Sequence, residues 1–263
     1  MELIALTPWD LALAGLLVLA LAATAWPMRL ELARPLLVAA ARTVVQLALV
    51  GLVLETVFAR GSFVWVGGIA LAMLLLAGRE ASARQARRFT GGWSFAGGTL
   101  AMFLSSFVTA VLALTVVIQP EPWHAPQYAI PLLGMLLGNT MTGVALGMDR
   151  LTSGAGQQRT AIEARLALGH SAAAAIEGVR REAVRAGMIP MLNAMAAAGI
   201  VSLPGMMTGQ ILAGAPPWEA VKYQILIMFL IAGGTGFGTL AAVWLGTWRL
   251  FDERQRLRLD RLR

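Results

Sequence analysis

Seven stretches of this chain, near 9–27, 36–58, 62–78, 97–119, 128–148, 189–213 and 220–248, are apolar enough to leave water. Each comes close to the roughly 20 helical residues needed to cross a hydrocarbon layer of about 30 Å. Unpaired backbone groups are expensive in lipid, so every stretch is expected to be a helix. The third, "FVWVGGIALAMLLLAG", is short and must borrow from its flanks. Little is left over for a soluble core: 13% of the 263 residues are charged and the mean hydropathy is +0.71, whereas soluble domains carry about 25% charged residues. The expectation is an all-α, polytopic membrane protein with about seven transmembrane helices, residues 1–263 forming one transmembrane domain.

The arginines orient it. With the N-terminus outside and the C-terminus cytoplasmic, the cytoplasmic side receives the loops near 28–35, 79–96 and 149–188 and the C-terminal tail. Nineteen of the 21 basic residues and nine of the 14 acids then lie inside, a net +10, while Arg60, Lys222 and five acids lie outside, a net −3. This asymmetry follows the positive-inside rule and accounts for the high pI, so no nucleic-acid partner is expected. Met1-Glu2 opens the chain with no basic residue before Arg29, which argues against a cleaved secretory leader. A multi-pass protein of the cell inner (plasma) membrane is expected.

Several chemistries are excluded by residue type. There is no cysteine and there are only two histidines, so disulfides, thiolate metal sites and His-rich zinc sites are ruled out. A phosphate-binding P-loop needs Lys followed by Ser or Thr, but the single lysine, Lys222, is followed by Tyr223. This chain is therefore expected neither to bind a cofactor nor to be an enzyme. "GGTGFG", Gly233 to Gly238, lies in an apolar helix with no strand before it; it reads as small residues that let helices approach closely.

"SLPGMMTGQ", Ser202 to Gln210, is the unusual stretch. Pro204 has no N–H and clashes with the carbonyl of Ile200, so the helix should kink or break at Pro204-Gly205, with Leu203 pushed out of helical geometry. Irregular backbone at membrane depth either lines a substrate path or is a structural kink healed by neighbours, and both readings stand. The candidate path is Asn139, Asn193, Met195, Ser202, Met206 and Gln210. Met188, Met191, Met195, Ser202, Met206 and Gly209 share a face if the helix is continuous. Methionines at that spacing read first as adaptable packing; the alternative is soft thioether contact with a metal through Met191, Met195 and Met206. Arg42 and Gln46 are four apart inside the second stretch, and Arg42 either snorkels to the surface or faces the bundle interior as a gating or helix-locking residue near Asn139 or Asn193.

The segment Asp149 to Met188 opens with a polar "TSGAGQQ", expected to be flexible, and continues as two short amphipathic helices broken at Gly169-His170, with Ser171 as a cap. Within it "EARLALG", Glu163 to Gly169, resembles the Glu-Ala-Ala-x-x-x-Gly signature of ABC-transporter permeases, with Arg165 in place of the second Ala and no Ile-x-Leu-Pro at the usual distance downstream. "ARTVVQLALVGLVLE" (41–55), "IPLLGMLLGNTMTG" (130–143) and "PMLNAMAAAGIVSLPGMMTGQILAGAPPWEAVKYQILIMFLI" (190–231) together resemble the FetB-type iron-export permease family and its plant relatives linked to aluminium tolerance. The resemblance implies a permease domain that forms a homodimer and is driven by a separate ATP-binding cassette subunit, which would hold ATP-Mg and receive the coupling residues Glu163, Arg165 and Gly169. Iron, or a related metal, is the cargo it implies. The alternative is an ion-gradient-driven secondary transporter, which usually carries acids at mid-membrane; none is placed there. An intramembrane enzyme is not favoured either, since His124 and His170 fall in loops.

Overall fold

The computed structural model describes residues 5–28, 30–60 and 62–263. Met1, Glu2, Arg29 and the side chain of Arg60, which entered the reasoning above, lie outside what it describes. All helices of membrane-spanning length are where the apolar runs stand, and the described residues divide into two compact units, one reaching to Ser62 with Leu212–Gly214 and one made of Phe63–Ile211 and Ala215–Arg263.

The first unit is a helix pair. α1 (Pro8–Ala25) begins with a capping box: Thr7 accepts from the backbone of Asp10, and the Asp10 carboxylate accepts from the backbone N–H of Thr7 at 2.7 Å, which satisfies donors that the first turn would leave open. α2 (Ala33–Arg60) packs on it through Ala22, Ala25, Ala33 and Leu36. Within this pair, Val44, Leu47 and Leu52 of α2 stay exposed.

The second unit is a bundle around α6 (Pro126–Gln157), which packs against α3 (Phe63–Ala83), α9 (Glu177–Ala197) and α11 (Pro217–Leu250). Trp93–Ile118 forms a further span in which α4 (Trp93–Met102) and α5 (Val108–Leu112) alternate with π-helical turns at Phe103–Phe107 and Ala113–Ile118. Small residues set the spacing. A Cβ added at Gly187 would meet the Gly143 carbonyl oxygen at 2.5 Å and Thr239 Cγ2 at 2.6 Å, and one at Gly238 would run into Thr140 and Ser105. Gly234 likewise abuts Leu136, so part of "GGTGFG" does serve close approach of helices, as its sequence implies. Hydroxyls follow the same seam: Ser106 donates to Thr140 at 3.3 Å, and both are fully buried.

Among the described residues, six helices are long and apolar enough to cross a membrane: α1, α2 up to Glu55, α3, the composite span Trp93–Ile118, α6 and α11. The expected crossing at 189–213 differs. It consists of the second half of α9, a non-helical stretch, and the short α10 (Gly205–Leu212). A second correction concerns "TSGAGQQ". It is not a loop: Thr152–Gln157 form the last turns of α6 and Gln158 caps it, because Leu151, Thr152, Gly154 and Ala155 are buried and the Thr152 hydroxyl donates to the Arg87 carbonyl at 2.9 Å; a Cβ at Gly154 would meet Val179 of α9 at 2.9 Å. The segment between α6 and α9 shrinks accordingly to α7 (Arg159–Ala167), a turn, and α8 (Ala172–Ala175).

The arginine-bearing helix ends of this unit meet at one end of the bundle. Asp149 of α6 accepts from the backbone N–H of Ala86 at 2.7 Å, Arg150 pairs with Glu182 of α9 at 2.9 Å, and the main chain of Arg263 exchanges hydrogen bonds with Arg88 at 2.9 and 3.1 Å.

Candidate functional site

The interruption between α9 and α10 is built from three local rules. Gly199 takes φ +81°, a left-handed conformation cheap only for glycine, and ends α9. The chain then folds on itself: the Ala197 carbonyl accepts from the N–H groups of Ile200, Val201 and Ser202 at 3.3, 3.0 and 3.1 Å, and Gly199 N–H donates to the Ser202 carbonyl at 2.9 Å. Leu203 is held out of the helix by the proline that follows, and Pro204 opens α10, where its missing N–H costs nothing. The break therefore lies at Ala198–Pro204, ahead of the expected Pro204-Gly205, because Gly199 stops one helix and Pro204 starts the next.

A polar group from another helix completes it. Gln224 of α11 is 8% exposed, and its Oε1 accepts from the backbone N–H of Met207 at 3.3 Å, so that α11 supplies a cap to the first turn of α10. Gln210, further along α10, is half-buried; its backbone carbonyl accepts from Ala215 N–H at 2.9 Å, and its side-chain Oε1 is buried and, among the described residues, has no hydrogen-bond partner.

The other path candidates divide by exposure. Asn139 of α6 and Asn193 of α9 stand on packed helices yet point away from the bundle core, Asn139 donating from Nδ2 to the Met135 carbonyl at 2.8 Å. Met195 is 36% exposed, Met206 is half-buried, and the Ser202 hydroxyl reaches the Ala197 carbonyl at 3.5 Å. The methionine stripe does not run as one face. Met188, Met191 and Met195 belong to α9, whereas Met206 follows seven non-helical residues, which reset the helical phase. Met191 is 3% exposed and Met188 lies against Gly236, so these two pack. Among the described residues no three His, Asp or Glu side chains gather as a metal-holding group. Arg42 and Gln46 lie on successive turns of α2, both exposed, in the helix-pair unit, while Asn139 and Asn193 belong to the bundle unit.

In the segment of the coupling residues, Arg159 pairs with Glu163 at 2.8 Å, Arg165 donates to the Ala175 carbonyl at 3.3 Å, and Gly169 takes φ +87° at an exposed apex with open space around it. Ser171 caps α8, accepting from Ala174 N–H at 3.3 Å. Gln255 from the C-terminal tail accepts from the Ala172 N–H at 2.7 Å, tying the tail to this turn.

A family model described as "Uncharacterised protein family (UPF0014)" matches residues 8–251. The chain belongs to UPF0014. It is 40% identical to the UPF0014 membrane protein slr1647 of Synechocystis over 92% of this chain and 93% of that one. It is 30% identical to the probable iron export permease protein FetB of Escherichia coli, covering 98% of this chain and 97% of that protein. It is also 30% identical to the protein ALUMINUM SENSITIVE 3 of Arabidopsis thaliana over 84% of this chain and 78% of the relative. No solved structure matches it significantly.

Two features of this UPF0014 chain that shape the break, Gly199 acting as a helix stop and the cap from Gln224, were not read from the sequence. Each left a signal: "AAAGIVSLPG" places glycine after a helical run and proline shortly beyond, the usual order at a helix end, and Gln224 is a carboxamide inside the apolar "VKYQILIMFLI".

Proposed function

We propose that this chain is the permease subunit of an ATP-driven transporter that moves iron or a related metal, energised by a separate ATP-binding subunit and working as a homodimer. The observation that carries the reading is the helix interruption at Ala198–Pro204, within an apolar run and capped from α11. A backbone that leaves the helix at membrane depth costs free energy unless it lines a cavity or moves, and transporters place such breaks beside their cargo. Asn139 and Asn193, polar but turned away from their own core, are consistent with a path shared by two copies. Neutral carboxamide oxygens and backbone carbonyls suit a hydrated or hard cation; the partly exposed thioethers of Met195 and Met206 add softer contacts. The name of the Escherichia coli relative points to iron export, while the Arabidopsis name, from the same similarity range, points to aluminium. At the other end, the exposed Gly169 turn, with Glu163 one helix earlier, is the surface offered to the ATPase.

The test is flux through proteoliposomes holding this chain and its ATP-binding partner, against a panel of metals and small organic solutes. ATP-dependent movement of iron or another metal is expected. Movement driven by a proton gradient in the lone chain would replace the reading with that of a secondary transporter. Met206→Leu, which keeps volume while removing sulfur, separates thioether contact from packing.

A further inference from the structure

The end of α11 opens into a cleft of about 830 Å³ that gathers arginines without enough acids to match them. Arg249, in the last turn, has its Nε buried and, among the described residues, without a hydrogen-bond partner. Arg180 of α9 and Arg254 of the tail line the same cleft, and among the described residues their guanidinium groups form no ion pair. The other two arginines there are engaged: Arg256 pairs with Asp252 at 2.7 Å, and Arg261 donates to the carbonyls of Arg249 and Phe251 at 2.8 and 3.2 Å. Asp252 is fully used. The Arg256 backbone N–H and then its guanidinium hold the Asp252 carboxyl down at about 2, and the Arg254 backbone N–H adds a third donor. Glu253 alone remains against three arginines.

Two tryptophans mark the depth of the cleft. Trp244 and Trp248 stand one turn apart on α11, 63% and 69% exposed, immediately before Arg249. Tryptophan collects at the membrane–water interface, where its ring sits at headgroup level. A second groove, about 470 Å³, starts from the same Arg180 and Trp244 and runs down between α9 and α11 along Val184, Leu240 and Val243. A charged cleft at interfacial depth thus continues into an apolar channel pointing along the helix toward the hydrocarbon.

We propose that this end of α11 binds an anionic phospholipid, with its phosphate among Arg180, Arg249 and Arg254 and an acyl chain along Val184, Leu240 and Val243. Guanidinium forks match phosphate oxygens in geometry as well as charge, and basic pockets between membrane helices are the usual seats of such headgroups. The three arginines come from α9, from the end of α11 and from the tail beyond it, so a bound lipid would bridge elements that no carboxylate bridges there.

The protein is reconstituted in nanodiscs of equal phosphatidylglycerol and phosphatidylcholine, released into mild detergent, and its retained lipids are counted by native mass spectrometry. Wild type is expected to keep phosphatidylglycerol over phosphatidylcholine by about tenfold, and R180Q/R249Q/R254Q to keep both equally. Two milder variants guard against misfolding of the triple one. R254Q alters only an exposed tail residue and should lose part of the preference; L240W leaves every arginine in place, fills the groove, and should lose retention. Equal retention of both lipids by the wild type, or an unchanged preference in R254Q and the triple variant, would overturn the proposal. So would displacement of phosphatidylglycerol by millimolar inorganic phosphate, which would make this a free-anion site. Lipid preference kept in the triple variant, with loss of the ATP-binding partner, would overturn it in favour of a protein-docking surface.

Discussion

The side chain of Gln224 and the backbone of Met207 are joined across 17 residues by a 3.3 Å hydrogen bond, in which Oε1 of the one accepts from the N–H of the other. Gln224 is buried, so this bond fixes how the first turn of α10 sits on α11. Replacing Gln224 by Leu removes the acceptor while keeping bulk and leaves a donor unsatisfied in an apolar setting, at a cost of about 1–3 kcal/mol. A lower melting temperature in detergent is expected, and Gln224→Glu should recover most of it at acidic pH, where the carboxyl is neutral and its carbonyl oxygen still accepts. Equal melting of Gln224→Leu and wild type would show that the bond contributes nothing.

The interruption has two anchors. Pro204→Ala alone should leave it in place, because Gly199 still ends α9 in the left-handed region. Gly199→Ala with Pro204→Ala should let the helix run on, since alanine at φ +81° costs about 1 kcal/mol that a continuous helix avoids. Spin labels at Ala194 and Thr208 would then settle at about 21 Å, the helical rise over fourteen residues. On the reading proposed above, this double variant is at least as stable as the wild type and transports poorly; normal transport would make the break merely structural.

Glycines in the bundle should separate by what surrounds them. Gly187→Ala places a methyl 2.5 Å from the Gly143 carbonyl, a backbone atom that cannot step aside, and a loss of about 1–3 kcal/mol is expected from overpacking. Gly233, in the same glycine-rich run of α11 as Gly238, has open space at its Cβ position. Gly233→Ala should be neutral or slightly stabilising in the same melting assay.

Single cysteines at Glu121, ahead of α6, and at Gln157, its last residue, sit at opposite ends of a helix whose 32 residues extend about 48 Å at the helical rise. Labelling by a membrane-impermeant thiol reagent is expected from outside at Glu121 and only after permeabilisation at Gln157. Labelling of both from outside would reverse the arginine-based orientation.

Gly169→Trp tests the exposed turn. Nothing lies near the Gly169 Cβ position, so the cost is confined to the left-handed backbone, about 1 kcal/mol, and the bundle should melt as wild type. If this turn meets the ATPase, the complex should hydrolyse ATP with transport reduced; a normal ratio of transport to hydrolysis would remove the turn from coupling.

What was legible in the sequence was what depends on neighbours along the chain. α1, α2 and α11 follow from apolar length, α3 from an apolar run that borrows its last turn from the flanking Arg79–Ala83, and the cap at Ser171 from a serine before an alanine run. The end of α6 was not legible, because "TSGAGQQ" carries loop residues whose helicity depends on Val179 and Arg87 packing against them. The methionine stripe was legible only on α9, since seven non-helical residues intervene before Met206. The site was half visible: Pro204 announced a break, but its position depends on the backbone sign at Gly199 and its cap on Gln224, which is remote in sequence.

The Ala197 carbonyl, with three backbone N–H groups converging on it, should be the most softened C=O bond in the stretch, since each donor draws electron density from the carbonyl and weakens its stretch. An isotope-edited infrared band from that single carbonyl would lie at low frequency while the turn is closed and climb as the donors leave. The protein thus carries a vibrational gauge of this turn, readable in lipid without a substituted side chain.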